Sequence, residues 1–566
     1  MRFDPETLSL TVRGMTLASV APLLDGAVPP HTPPVVVDDE VRWALDDGGS
    51  AVLTVGTDTL DLRIDGLSSE QLIDSIGLQF GTIAGVGRAL RNGYTSWDGS
   101  EFIDWGTAFE GHAMTALLPP GGGAAVIGFD RHDRWQSRVV GGGGLSFETL
   151  IDRVPHDGSI AAERLVVMED ADLETVLRAW SHAVAAASPL PPRVPDRRIT
   201  GWCSWYNLYA AIDDELIREH LASTAAFRDE HQVPLDVFLI DDGFTPEMGD
   251  WLDFKPQFPR GMAPLVADIA VAGFTPGLWI APFMVGNRSK LFAAHPDWVV
   301  ADATTGAPLA PMTFYGEFRW HKRSEEYYIL DVTHPDAAAY IAHVFRTWAC
   351  DWGVGYFKTD FMYFGSAYGP DRARWHIPGL SRIAIWRRMA AIIREAIGEA
   401  LWLGCGCPLW ASVGYVDAVR IGRDIGPAWA SGEQSAASLL RDQLTRNHAH
   451  RILWHADPDC ILLRDRFHDL DDAQVDSLAR FAGRTGGVLM TSDSLDALSP
   501  ERAALFAELL RADTVQCDFP GLGSPASILV QRAYDRSGSM TASRLNLLGL
   551  PSDDLPPFAT RSERVG

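Results

Sequence analysis

Leu60, Leu62 and Ile64 alternate with Asp61, Arg63 and Asp65, the two-residue period of a strand with one buried face. Similar β-like runs fill residues 1–170, broken by Gly121-Gly122-Gly123 and by Gly141 to Gly144. Neither glycine run is followed by the Lys-Ser/Thr of a phosphate loop, so both are expected to be hairpin or loop turns, and the region is expected to form a β-sandwich. The period then changes. Leu173, Val176, Leu177, Trp180 and Val184 share one helical face, and the proline-rich stretch 188–195 reads as a semi-rigid linker, so 171–198 joins two domains.

From residue 199 short apolar runs alternate with helical stretches, the signature of βα units around a parallel sheet. Candidate strands end at Trp205, Asp242, Pro282, Asp360, Cys405, Asp424, Asp457 and Asp493. Eight such units close a (β/α)8 barrel, placed at 199–498. A ninth apolar run, Tyr327 to Leu330, is assigned to an insertion after the third strand. Residues 499–566 are expected to form a small C-terminal β-module, loosely ordered from about Pro551. The fold class is therefore multidomain α/β plus β.

Composition narrows the function. The net charge of -26 argues against nucleic acid or an anionic membrane as partner. No run reaches the roughly 18 apolar residues of a membrane span, and Met1 to Glu6 lacks a signal peptide's basic start, so a cytoplasmic location is expected. Six cysteines in 566 residues make no disulfide framework, and Cys405-Gly406-Cys407 has no second pair at a zinc-site spacing. The 19 tryptophans are many for this length; most are expected in the core, and a flat indole also suits the C–H face of a sugar.

The strand ends carry the chemistry. In a (β/α)8 barrel, polar residues at strand C-termini point into one shared bowl. Here that bowl would collect Asp241, Asp242, Asp360 and Asp424, with Lys358 and Arg420 between them. Two separately held carboxylates suffice to cleave a glycosidic bond. Lys358 and Asp360 fall on the same face of one strand, and the ammonium is expected to keep Asp360 ionised as a nucleophile. Asp424 would protonate the leaving oxygen, a task that Arg420 and Arg423 oppose. Asp241-Asp242 suit paired sugar hydroxyls better than a metal, given the cations nearby. Asp457-Pro458-Asp459 reads as a strand-end turn.

Nine motifs in order, among them Gly201-Trp202-Cys203-Ser204-Trp205, Leu239-Ile240-Asp241-Asp242-Gly243, Lys358-Thr359-Asp360-Phe361 and Arg420-Ile421-Gly422-Arg423-Asp424, resemble the melibiase-type α-galactosidases of glycoside hydrolase family 36. Asn92-Gly93-Tyr94-Thr95-Ser96-Trp97 extends the resemblance into the first domain. It implies an N-terminal β-supersandwich, a (β/α)8 barrel and a C-terminal β-sandwich. It implies Asp360 as nucleophile and Asp424 as acid/base of a retaining hydrolase. Asp241, Asp242, Lys358, Arg420 and Cys405 would contact sugar hydroxyls, with Trp205, Trp279 and Trp97 as walls. No cofactor or metal is implied, and the partner is an α-galactoside such as melibiose or raffinose. Tyr94 stands where the family often has Trp, and Arg423 where it is often uncharged. Alternatives at the same site are an α-N-acetylgalactosaminidase or a galactosyl-transferring enzyme; a carbohydrate-binding protein without catalysis is the alternative from another class.

Overall fold

The computed structural model describes residues 1–566 apart from 314–323, 431–433, 467, 525–527, 548, 551, 553 and 566. Sheets of seven and ten strands form the first domain. They bury one continuous core between them, with Leu17, Phe80 and Phe147 from one sheet against Trp43, Leu62 and Ile127 from the other. Strand Thr59–Asp65 shows how the pattern works: Leu60, Leu62 and Ile64 are buried, while Asp61 and Asp65 are half-buried and Arg63 is exposed. Both glycine runs are hairpin connections, between Met114–Leu118 and Ala124–Phe129 and between Gln136–Gly141 and Leu145–Leu150.

Helix Leu173–Ala187, N-capped by Asp172, buries the predicted apolar stripe. Its Trp180 donates Nε1–H to Phe129 O at 3.1 Å and lies edge-on to Trp410 of the barrel at 4.8 Å. The helix is thus a shared wall rather than a tether.

Eight parallel strands follow: β1 (Thr200–Cys203), β2 (Val237–Ile240), β3 (Thr275–Ile280), β4 (Tyr356–Thr359), β5 (Leu401–Gly404), β6 (Ala418–Arg420), β7 (His455–Asp457) and β8 (Leu489–Thr491). Their order in the sheet runs from β7 down to β1 and then to β8. Two further contacts close the ring. Strand Cys460–Ile461, just past β7, pairs in parallel with β8, and Val488 N–H donates to Ala456 O at 2.9 Å. Strands β2 and β4 are buried at every position, as expected of a parallel sheet covered by helices. The Tyr327 run forms strand Glu326–Ile329, which pairs antiparallel with Met284–Gly286 outside the barrel.

One boundary and the tail differ from the sequence reading. Helix Pro500–Arg511 packs on helix Asp472–Arg484, and its Phe506 lies 5.6 Å from Phe227. It therefore completes the eighth βα unit, and the C-terminal module starts at Thr514. That module is one antiparallel sheet of four strands, ending in Thr560–Val565. The tail expected to be loose thus carries a paired strand; Pro551 itself lies outside the described residues. No helix among the described residues is long and apolar enough to cross a membrane.

Candidate active site

β2 ends in Asp241 and Asp242, both buried. Asp241 Oδ2 accepts from Lys358 Nζ at 2.8 Å and from the Cys203 thiol at 3.4 Å. Its Oδ1 accepts the Asp242 N–H at 2.9 Å. Lys358 and Asp360 flank Thr359, whose hydroxyl turns the other way to accept Trp402 Nε1–H at 2.8 Å; the alternation of β4 therefore sends both charged side chains inward. Burial works against the Lys358 charge, but Asp241 outweighs it and holds the ammonium well above its ordinary value.

Asp360 is half-buried at the floor of the bowl. Its Oδ1 accepts the Phe361 N–H at 2.7 Å, and its Oδ2 faces Trp279 Nε1–H at 3.3 Å. The Cys405 thiol donates to the same carboxylate. Here the sequence expectation is corrected. Burial pushes the Asp360 carboxyl up from its ordinary range, Lys358 pulls it back, and the Asp424 charge pushes it up again; the net direction is upward. Lys358 moderates a desolvated carboxylate instead of depressing an exposed one, because its ammonium is already engaged by Asp241. The Asp424 contribution also places both carboxylates in one field.

Asp424 is reached from β6 and is 27 % exposed. Arg420, only 2 % exposed, divides its guanidinium among three carboxylates: Nη1 to Asp424 at 2.9 Å, Nε to Asp457 at 3.2 Å and Nη2 to Asp459 at 2.7 Å. Asp459 also accepts from the Tyr206 hydroxyl and from Ile425 N–H at 2.8 Å. Burial, with Asp424 and Asp457 nearby, pushes Asp459 up to about 6 against the pull of Arg420. Reading Asp457-Pro458-Asp459 as a turn captured only half of its role. Asp457 Oδ1 does accept Asp459 N–H at 2.9 Å, yet both side chains fix the arginine that fixes Asp424. Sequence reasoning gave Tyr206 no part here; the Asp-Pro-Asp at a strand end was the available signal. Arg420, expected on sugar hydroxyls, meets three carboxylates.

The first domain completes the rim. A short turn, Ser96–Asp98, is stiffened by Thr95, whose Oγ1 accepts Trp97 N–H while Asp98 Oδ2 accepts Thr95 N–H. Trp97 O accepts from Arg423 Nε at 2.7 Å, which turns that arginine toward the first domain. Trp97 Nε1 lies 3.3 Å from where a Cβ on Gly406 would stand. Gly406 has φ +62°, so both its backbone and its crowding require glycine. Helix Ala436–Arg446 locks the seam: Arg446 donates to Thr95 O at 3.1 Å, to Gly99 O at 2.9 Å and to Ile421 O, and Asp442 accepts Ser100 N–H at 2.8 Å.

The structure thus gathers Asp241, Asp242, Lys358, Asp360, Cys405, Arg420, Asp424 and Trp279 at one end of the barrel, with Trp97 at the edge. Trp205 is half-buried beside Tyr209, 5.3 Å ring to ring and edge-on. Asp493, also at a strand end, is fully buried and structural: it accepts Leu463 N–H at 2.7 Å and Arg464 Nη1–H at 2.9 Å. Among the described residues no group of His, Cys, Asp or Glu is arranged to hold a metal ion. The positive charge among Asp424, Asp457 and Asp459 is the Arg420 guanidinium itself.

A parallel barrel with two carboxylates and a basic clasp at its C-terminal rim defines a glycoside-hydrolase type of site. Residues 203–364 match the Melibiase family model. The α-galactosidase of Escherichia coli is 26 % identical over 164 residues, 28 % of this chain and 20 % of that protein, so the chain spans about a fifth of that relative's length. An α-galactosidase from Thermus thermophilus, solved with p-nitrophenyl α-D-galactopyranoside, superposes with a TM-score of 0.67 at 26 % identity, covering 88 % of this chain and 98 % of its own. A family 36 α-galactosidase from Geobacillus stearothermophilus, 13 % identical with a TM-score of 0.60 over 97 % of this chain and 81 % of its own, shares the fold. Residues 203–364 are thus similar to the Melibiase family, and the whole chain shares its fold with the α-galactosidases of Thermus thermophilus and Geobacillus stearothermophilus.

Proposed function

We propose that the protein is a retaining, exo-acting α-galactosidase, with Asp360 as nucleophile and Asp424 as acid/base. One observation supports this most: Asp360, held by Phe361 N–H, Trp279 and Cys405, lies within the field of Asp424 in the same bowl. Asp360 attacks the anomeric carbon while Asp424 gives its proton to the departing oxygen. Water then enters, Asp424 takes its proton, and the Asp360 ester is displaced. Two inversions leave the galactose in its α configuration. Such a double displacement places the two carboxyl groups about 5–5.5 Å apart. Asp241 and Asp242 accept from sugar hydroxyls, and Lys358 donates its remaining N–H groups to them. Arg420 keeps Asp424 aimed at the leaving oxygen.

Proton NMR of an α-galactoside digest tests the sugar, the bond and the stereochemistry together. α-Galactose is expected as the first product; a β anomer would sink the double displacement. Across a panel of p-nitrophenyl α-glycosides the galactoside is expected to react fastest, and turnover confined to the acetamido sugar would overturn the substrate. The pH profile gives a further check. A protonated Asp360 is no nucleophile, and its carboxyl is raised. The acid limb of kcat/KM is therefore expected at higher pH than an unperturbed aspartate would give, with activity lost as pH falls through it. A limb at the unperturbed aspartate value would contradict the burial argument.

A further inference from the structure

Asp424 lies on neither a strand nor a helix. β6 ends at Arg420, four residues earlier, and the backbone from Ile421 to Gly426 is irregular. A carboxylate that must meet one departing oxygen therefore sits on loop backbone that other groups have to hold. Resting on the α-galactosidase reading above, we propose that Asp459 is a positioning residue for Asp424, fixing it through both side chain and main chain, and that Tyr206 in turn fixes Asp459.

The hydrogen bonds are the first argument. Asp459 Oδ1 accepts from Arg420 Nη2 at 2.7 Å, and Arg420 Nη1 donates to Asp424 at 2.9 Å. Asp459 Oδ2 accepts Ile425 N–H at 2.8 Å, the peptide that follows Asp424. The loop is tied at its other end as well, where Ile421 N–H donates to Asp457 O at 3.0 Å. Asp459 thus closes the bracket around Gly422, Arg423 and Asp424. Its remaining partners are Cys460 N–H, on Oδ1 at 2.7 Å, and the Tyr206 hydroxyl, on Oδ2. Two oxygens serve four donors, a set that only a carboxylate completes. An amide of the same shape would set its own N–H groups against two of them, whichever way it faced. Tyr206 is anchored at its backbone, where N–H donates to Ser492 Oγ at 3.2 Å and O accepts from Arg464 Nη2 at 3.0 Å.

Backbone conformation is the second argument, and it is independent of the first. Asp459 has φ +82°, on the side of the backbone map that suits glycine and that residues with a Cβ rarely occupy. A glycine would sit there without strain, but it would carry no carboxylate. Strain of this kind persists where the surrounding bonds over-determine it, and it gathers at functional sites. Here those bonds are the four above, together with Asp459 N–H to Asp457 Oδ1 at 2.9 Å. Asp459 also shares its cation: one guanidinium serves Asp424, Asp457 and Asp459, so Asp424 meets only part of the Arg420 charge.

The test compares two galactosides that differ in how much proton delivery they need. The departing oxygen of methyl α-galactoside must be protonated, whereas p-nitrophenolate leaves with little such help. In Asp459→Asn, kcat/KM for methyl α-galactoside is expected to fall about tenfold further than that for p-nitrophenyl α-galactoside, the scale on which misplacing a proton donor acts. Tyr206→Phe removes a single hydroxyl and is expected to shift the ratio the same way by about threefold; it decides the matter if the asparagine variant does not fold. A merely structural residue would lower both rates alike, so equal falls, or none on either substrate, would overturn the assignment. Crystal structures of wild type and both variants supply a readout independent of turnover. Asp424 is expected to part from Arg420 or to spread over two rotamers in the variants, and an unmoved Asp424 would overturn the proposal. If wild type cleaved neither galactoside, the hydrolase reading would fail, while the crystal structures still decided whether Asp459 positions Asp424.

Discussion

Asp360→Asn is expected to lower kcat on p-nitrophenyl α-galactoside by about 10⁴-fold or more, the scale on which removing a nucleophile acts. The amide keeps the shape of the side chain but cannot form the glycosyl ester. The same substitution is expected to raise the melting temperature at neutral pH. The folded-state carboxyl is raised above its unfolded value, chiefly by burial. The folded protein therefore binds that proton more tightly than the unfolded chain does. Stability from this group is present at low pH and is lost as pH rises through the raised value. Removing the charge recovers that loss, so the advantage of Asp360→Asn over wild type should shrink as pH falls through the raised value and vanish below the ordinary aspartate value. Thermal melts at two pH values check it. Azide added to Asp360→Gly is expected to restore turnover and yield a β-galactosyl azide, since a small anion can attack from the vacated side. A variant with unchanged turnover would remove Asp360 from the mechanism.

Arg420→Met is expected to destabilise the fold by about 3–5 kcal/mol, the usual cost of leaving buried charges without their partner. Asp457 and Asp459 are both buried, and one guanidinium serves them together with Asp424. The deficit should be greatest at alkaline pH and shrink as pH falls toward about 6, because Asp459, released from the downward pull of Arg420, takes its proton above that value. Activity is expected to fall about 10²-fold or more through kcat, because Asp424 loses the bond that aims it. Arg420→Lys should recover part of the stability and little of the rate. An ammonium is a point charge and cannot meet three carboxylates along three directions. A Met variant as stable as wild type across pH would show that the clasp carries no weight.

The barrel was legible because its strands repeat a simple signal, an apolar run ending in a polar residue. Val237 to Ile240 before Asp241, and Tyr356 to Thr359 before Asp360, needed no knowledge of their neighbours. The candidate site was legible where a residue sits at such an end. It was not legible where partners come from distant segments. Arg420 meets Asp457 and Asp459 across almost forty residues, and sequence spacing holds no record of that. Helix Ala436–Arg446 misleads for another reason. Asp442, Gln443, Thr445 and Arg446 are all buried, although a periodicity argument would turn polar residues to solvent. Asp442, Thr445 and Arg446 meet Ser100, Thr95 and Gly99 of the first domain, and Gln443 meets Thr485 within the barrel; the pattern of one helix cannot distinguish such surfaces from water. The boundary at residue 499 failed similarly, since the break after β8 marks the end of a strand and not the end of a domain.

Because Arg446 ties the Thr95–Ser100 segment to the backbone of Ile421, three residues from Asp424, the upper edge of the candidate site is inherited from two domains. Swapping the sandwich for that of a homologue therefore transplants more than a scaffold. Unless both sides of that stitch come from one parent, the hybrid would set Trp97 from one lineage beside Arg423 from another, and the rim of the bowl would be decided at the suture.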